Sequence, residues 1–212
     1  MVSTFYMPVK IISGPDCVRR SADEFGKYGR KAYIVTVPAP LGRSIGALDD
    51  VLAGLDRLGI AYGIFDGCVN SPDPAFIDTL RADCYGRGYD FVVGIGGGAV
   101  IDIAKAAAVL CGNDQSAQEL FANHFPTPPL PILAIPTTAG TGSEASYNSV
   151  VTVDGSRNKK SFGDVRLHAR AAFLDAKYTE KLPLQMARNT AVDAFTHAME
   201  GFLSTKSTPT GA

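Results

Sequence analysis

Phe91-Val92-Val93-Gly94-Ile95-Gly96-Gly97-Gly98-Ala99-Val100-Ile101-Asp102-Ile103-Ala104-Lys105 is the stretch that decides the fold. Phe91 to Ile95 is a short apolar run of the kind that forms a buried strand. Three consecutive glycines follow, Gly96 to Gly98, and a helical pattern is then expected from Val100 to Leu110. Only glycine lets a backbone turn that tightly while bringing bare amides against a ligand. The helix N-terminus beyond the glycines adds partial positive charge, and the two together suit a pyrophosphate. The loop is not a Walker loop, which would end in Gly-Lys-Ser/Thr, nor the G-x-G-x-x-G fingerprint. Taken alone, a triple glycine is equally a tight turn that binds nothing. Asp102 and Lys105 share a helix face and read most simply as a surface ion pair.

On either side, short β-branched runs alternate with longer amphipathic stretches, the pattern of parallel strands joined by crossover helices. Lys31 to Val37 reads as a strand, and Ser44 to Leu58 as a helix with Ile45, Leu48, Val51, Leu52 and Leu55 at helical spacing, stopped by Gly59. Ile60 to Phe65 is a second strand, and Asp73 to Tyr85 a helix entered through Asp73-Pro74. A proline-rich polar loop, Gly112 to Pro131, leads into a strand at Ile132 to Ile135. Val150 to Val153 and Ala171 to Leu174 read as further extended segments, with Asp154-Gly155 as a turn between them. From Leu184 to Phe202 only helical periodicity remains, so the architecture is expected to change near residue 180. The fold class is α/β.

Bulk properties narrow the function. The 212 residues are 46% hydrophobic with a formal net charge of −1, and no Lys/Arg block is interleaved with aromatics. That excludes the electrostatic footprint of a nucleic-acid or membrane-surface binder and favours small-molecule chemistry. Cys17, Cys68, Cys84 and Cys111 form no C-x-x-C pair and read as buried core thiols. Neither a signal peptide nor a membrane span is legible, so the cytoplasm is the expected compartment.

A second glycine-rich loop follows the Ile132 strand: Pro136-Thr137-Thr138-Ala139-Gly140-Thr141-Gly142-Ser143-Glu144-Ala145-Ser146. Its hydroxyls and amides lie beyond the carboxyl end of a parallel strand, where open α/β sheets bind ligands. Further on, Asp193-Ala194-Phe195-Thr196-His197 puts a carboxylate and an imidazole at i and i+4 on one helix face. Such a pair can chelate one ion, with Fe(II), Zn and Mn all suited to the donors, or it is an ordinary surface pair. His124 and His168 read as solvated residues.

Gly96-Gly97-Gly98-x-x-x-Asp102-x-x-Lys105 followed by Pro136-Thr137-Thr138-x-Gly140-Thr141-Gly142-Ser143-Glu144 resembles the paired cofactor signature of the iron-dependent (group III) alcohol dehydrogenases. Val192 to Glu200 resembles the family segment that supplies the first two metal ligands. The resemblance implies a Rossmann-like NAD(P)-binding domain over residues 1–182, and over 183–212 the first helix of an all-helical metal-binding domain. It implies cofactor contacts at Gly96, Gly97, Gly98, Ala99, Val100 and Asp102 on the first loop, at Thr137, Thr138 and Thr141 on the second, and at Lys160 near a ribose. It implies a divalent metal, Fe(II) first among the candidates, on Asp193 and His197. It further implies a small alcohol or aldehyde substrate, metal-assisted hydride transfer, and a homodimer. Where many NAD-using relatives carry an acidic residue, this chain has Val37 and Pro38, with Arg43 a few residues on, so the expectation leans to NADP over NAD. Ser71 stands where the family commonly has asparagine.

Family chains continue through further helices with more histidine ligands, so a truncated form is expected, inactive or limited to binding nucleotide. A dehydroquinate synthase-like enzyme and a non-catalytic nucleotide-binding or assembly module are the alternatives.

Overall fold

The computed structural model describes residues 6–38, 43–69, 72–152, 159–205 and 207. Its strands are β1 (Lys10–Ser13), β2 (Lys31–Thr36), β3 (Ala61–Phe65), β4 (Phe91–Gly96), β5 (Ile132–Pro136), β6 (Asn148–Thr152), β7 (Lys159–Gly163) and β8 (Ala171–Leu174). The α-helices are α1 (Cys17–Arg20), α2 (Ala47–Leu58), α3 (Pro74–Cys84), α4 (Gly98–Leu110), α5 (Ala117–Leu120) and α6 (Leu184–Leu203).

Six strands form one parallel sheet in the order β1-β8-β5-β4-β2-β3. The central strands β4 and β5 are buried along their whole length, as their unbroken apolar sequences require. Alternation then sends successive side chains to opposite faces. Tyr33, Val35 and Val92 join Ile77, Leu80 and Ile103 in one core, while Ile34, Val93 and Ile95 join Val51, Leu55, Phe25 and Phe173 in the other. The result is a Rossmann-like three-layer sandwich with α3 and α4 on one face and α1 and α2 on the other.

Local signals set the helix ends. Asp73 caps α3, its carboxylate accepting from Phe76 N at 2.8 Å, with Pro74 in the first turn. Gly59 ends α2 in the left-handed region at φ 63°, as its position after Leu58 suggested. Helix α4 has no polar face: every residue but Ala99 is buried, between β4 below and β6 above. It reaches the sheet because Gly94 lacks a side chain; a Cβ there would stand 2.8 Å from that of Ala104.

The chain runs from β2 outward to β3, then crosses to β4 on the other side of β2. The strand order therefore reverses between β2 and β4, and the crevice beyond their carboxyl ends is the topological switch point where such sheets take ligands. The Gly96–Gly98 loop opens there.

The two further extended segments expected around Val150 and Ala171 are strands of different sheets: β6 pairs antiparallel with β7 as a separate hairpin, and β8 enters the main sheet between β1 and β5. Phe162 of β7 anchors the hairpin, buried between the rings of Phe121 and Phe125 at 6.4 and 6.2 Å. The Asp154-Gly155 turn lies outside the described residues.

After β8 a short 3-10 turn, Ala176–Tyr178, precedes the 20-residue α6, none of whose residues is buried. Among the described residues no helix is long and apolar enough to cross a membrane. All four cysteines are free and buried as expected, and burial pushes the Cys68 thiol up to about 12.

The α4–β4 contact carries a first prediction. Gly94→Ala should lower stability by about 1–3 kcal/mol through overpacking, measured by urea denaturation; an unchanged midpoint would show that α4 can move away freely.

Candidate functional site

The glycines of the first loop serve a purpose different from the one their sequence suggests. None of Gly96, Gly97 and Gly98 has a left-handed backbone. What they supply is space. A Cβ on Gly96 would lie 2.6 Å from Val100 Cγ2, one on Gly97 3.2 Å from Thr138 Oγ1, and one on Gly98 2.7 Å from Thr141 Cγ2. The two glycine-rich loops are thus interlocked, with threonines of the second filling the volume that side chains of the first would occupy. Thr137 N donates to Gly96 O at 3.0 Å and ties them again.

This packing leaves the start of α4 available. Asp73 caps α3 and Ser116 caps α5, whereas Gly97 has no side chain with which to cap α4. The Val100 and Ile101 amides are satisfied by Gly97 O at 3.0 and 3.1 Å. The backbone at Gly98 and Ala99 instead borders a cleft, where the partial positive charge of the terminus favours an anion.

That cleft, of about 440 Å³, brings together Gly98 and Ala99 of the first loop, Thr141 of the second, and Asp193 and His197 of α6. Helix α6 reaches it through Gly140, where a Cβ would stand 2.6 Å from the carbonyl oxygen of Thr190. Asp193 lies one turn beyond Thr190 and His197 one turn further, with His197 Nε2 3.9 Å from Asp193 Oδ1. The pair projects from one face, as the spacing predicted. Its donors suit a borderline divalent cation, which they can grip from one side. Among the described residues no group of three or more His, Cys, Asp or Glu converges, so any remaining donors come from elsewhere. A second cleft, of about 360 Å³, opens beyond β5 and β8 and is lined by Pro136, Thr138, Leu174 and Thr179.

Not every expected residue reaches these clefts. Phe162 is turned into the aromatic cluster, and Lys160, two residues earlier on the same face of β7, holds its ammonium 5.6 Å over the Phe121 ring. Lys159 points the other way and lines the cleft with Asp193 and His197. Side-chain alternation about Phe162 was the signal that could have chosen between the two lysines. Thr137 is buried, Gly96 is covered by Val100, and the Val100 side chain packs on that glycine.

Asp102 and Lys105 are not a surface pair. Lys105 is 1% exposed and its ammonium donates to Asp102 Oδ1 at 3.2 Å. Asp102 also accepts from Ser143 Oγ and Val150 N, both at 3.1 Å. The apolar side chains all round α4 were the signal that could have shown this, because they leave no polar face on which the pair could be solvated. Burial pushes the Asp102 carboxyl up and the Lys105 ammonium down, each opposed by the other's charge. His168 was expected to be solvated and is buried too, its ring edge-on to Tyr147 and its Nδ1 without a partner. Burial, aided by the nearby Lys105 charge, pushes its pKa down. His124 is exposed as expected. Ser71 lies outside the described residues.

The sheet order, the switch-point crevice and the uncapped helix over a glycine loop define a Rossmann-like nucleotide-binding domain. The chain belongs to the iron-containing alcohol dehydrogenase family, whose profile matches residues 8–176. It is 34% identical over 211 residues to the sulfoacetaldehyde reductase of Bilophila wadsworthia, covering 99% of this chain and 54% of that one. The solved iron-containing alcohol dehydrogenase of Thermotoga maritima superposes with a TM-score of 0.91 at 35% identity, over 99% of this chain and 57% of that one. The sulfoacetaldehyde reductase of Bifidobacterium kashiwanohense, solved in complex with NAD+, superposes with a TM-score of 0.87 at 29% identity, over 99% and 55%. The chain spans about half the length of the curated relatives it matches. The family match sides with the dehydrogenase reading over the dehydroquinate synthase-like one.

Two predictions follow from this geometry. Gly140→Ala should force α6 away from the second loop, so that amide exchange in α6 accelerates while β4 and β5 stay protected; equal protection in both chains would refute the contact. His168 has a lowered pKa, so its contribution to stability is full above its ordinary value of 6.5 and is lost as the pH falls through the folded-state pKa. His168→Gln should flatten the loss of stability between about pH 7 and pH 5, followed by denaturant titration at each pH.

Proposed function

We propose that these clefts hold the two halves of a nicotinamide dinucleotide, in an enzyme that interconverts a small alcohol and its aldehyde with the help of a divalent metal. The carrying observation is that the uncapped start of α4 and the Asp193–His197 pair border one cleft. The pyrophosphate then lies on Gly98 and Ala99, where backbone amides and the helix terminus favour it. The nicotinamide occupies the Asp193–His197 cleft, because hydride transfer needs it beside the substrate carbon. The adenosine takes the cleft at Pro136, Thr138, Leu174 and Thr179. Lys159, with its side chain in the cleft, takes the ribose contact that the family resemblance suggested for Lys160.

Asp193 and His197 would hold the metal, Fe(II) by family and Zn or Mn by donor chemistry. Bound metal supplies Lewis acidity at the substrate oxygen, and bound nicotinamide accepts or donates the hydride. Thr141 and Ser143 fix the wall facing that cleft. NADP is accepted alongside NAD in this reading, because Val37 leaves no carboxylate after β2 to repel a 2'-phosphate. Arg43 would first have to leave Asp49, which it meets at 3.0 Å. The domain boundary falls near residue 182, after the last turn of the sheet domain. Sheet edge β1, which pairs only with β8 among the described residues and has Ile11 exposed, suits a homodimer, and the four free thiols accord with the cytoplasm. With two converging metal donors among the described residues, binding of nucleotide is what those residues support most directly.

Titration with NADH and NADPH, followed by their fluorescence, tests the reading. Gly98→Val should weaken both by about tenfold or more, since the added side chain displaces Thr141. His197→Ala should leave dinucleotide binding within about twofold while removing a metal site detectable by Zn titration. Absence of dinucleotide binding by the parent chain would overturn the proposal.

A further inference from the structure

The three acceptors of the Lys105 ammonium all belong to residues that line the cleft: Asp102 Oδ1 at 3.2 Å, Ser146 Oγ at 3.2 Å and Asn148 O at 2.5 Å. Lys105 itself sits behind that wall, 1% exposed. Asp102 in turn gathers Ser143 and Val150 on its carboxylate, and its carbonyl accepts from Ser149 Oγ at 2.8 Å. One ammonium and one carboxylate therefore hold the segment from Ser143 to Val150. Through the Thr152–Lys159 pairing of the hairpin, they also bear on the position of Lys159.

Asp102 stands about one helical turn from the amides of Gly98 and Ala99 and borders the same cleft. A carboxylate there without a counter-charge would oppose the anion that the helix terminus attracts. In the partly desolvated wall that repulsion would be strong, since few waters screen it. We propose that Lys105 is a positioning residue of the phosphate subsite: it cancels the Asp102 charge from behind the wall and fixes Ser143 to Val150, so that a diphosphate can settle on Gly98 and Ala99. This rests on the reading of the cleft as a dinucleotide site. Other ionisable groups face the pair: Glu144 on the second loop and His168 ahead of β8, and across the cleft Lys159 on β7 with Asp193 and His197 on α6. The Lys105 charge acts on His168 and Glu144, so both groups shift when it is removed; the single and double variants share that shift, and comparing them separates it from the effect of Asp102.

The test is calorimetric titration of the metal-free 212-residue chain with ADP from about pH 6 to pH 9. Lys105→Met should bind ADP roughly ten- to a hundredfold more weakly than the parent at the alkaline end. The deficit should shrink as the pH falls and Asp102 takes up a proton. Asp102→Asn/Lys105→Met, which removes both charges, should return to within about threefold of the parent at every pH. A double variant as weak as the single one, or a deficit independent of pH, would overturn the proposal by showing that Lys105 acts through packing alone. Should Lys105→Met fail to fold by circular dichroism, the neutral double variant decides on the same criterion. A parent chain that binds no ADP at any pH overturns the dinucleotide reading and this inference together, whereas a binding parent with a pH-independent variant overturns the inference alone.

Discussion

Four missing side chains let separate pieces of the chain share one small volume. Gly94 lets α4 settle on β4, Gly97 and Gly98 let the second loop settle on the first, and Gly140 lets α6 settle on the second loop. At Gly94, Gly98 and Gly140 an added carbon would come within 3.0 Å of backbone or Cβ atoms, and at Gly97 within 3.2 Å of the Thr138 hydroxyl, and packed interiors adjust poorly to such additions. The path from the middle of the sheet to Asp193 and His197 therefore runs through short contacts, with no long flexible side chain between them. That places the Asp193–His197 pair, the proposed metal ligands, at a set distance from the start of α4.

The electrostatics follow from the same packing. Helix α4 is wrapped on all sides, so its N-terminus is one of the few places where its dipole meets the cleft, and the absence of a capping side chain leaves that charge unspent. The cost of wrapping falls on Asp102 and Lys105, which must be buried. A buried ion pair adds little net stability, because desolvation offsets the attraction. What it adds is direction: four hydrogen-bonding groups of the cleft wall are held by two side chains. A further buried carboxylate cluster, Asp50 with Lys177, Arg19 and Tyr178, lies on the opposite side of the sheet and joins α1, α2 and the turn after β8. One network shapes the cleft and the other fastens the layers.

Elements with strong period or punctuation were legible in the sequence. The strands at Lys31, Phe91, Ile132 and Ala171 and the helices closed by Gly59 or opened by Asp73-Pro74 appear within a few residues of expectation. The Asp193–His197 pair appears on one helix face because a spacing of four is a local property. Strand β1 was missed because Lys10-Ile11-Ile12-Ser13 is a short edge segment whose pairing with β8 lies 161 residues away, Lys10 opposite Ala171. Strand β7 was missed because Lys159-Lys160-Ser161 has no apolar alternation, and Phe162 alone carries its burial. The burial of Asp102 and Lys105 was only half legible: the lack of a polar face on α4 pointed to it, but the cover is supplied by β6 packing over the helix, a long-range contact.

The two halves of the proposed site, phosphate and metal, differ in how firmly they are held. The phosphate half is built from β4, β5 and α4, which are buried almost throughout. The metal half stands on α6, where Val192, Phe195 and Phe202 are each more than 60% exposed, so the apolar surface of the helix contributes little hydrophobic stabilisation. Its close approach at Gly140 and Thr190 must then resist the fraying expected of an isolated helix in water. Nucleotide affinity should accordingly be set by the sheet domain, with the Asp193–His197 geometry following whatever holds α6 in place. A metal grip built on one helix face is the part of such a site that further packing against α6 can tighten without disturbing the phosphate loop.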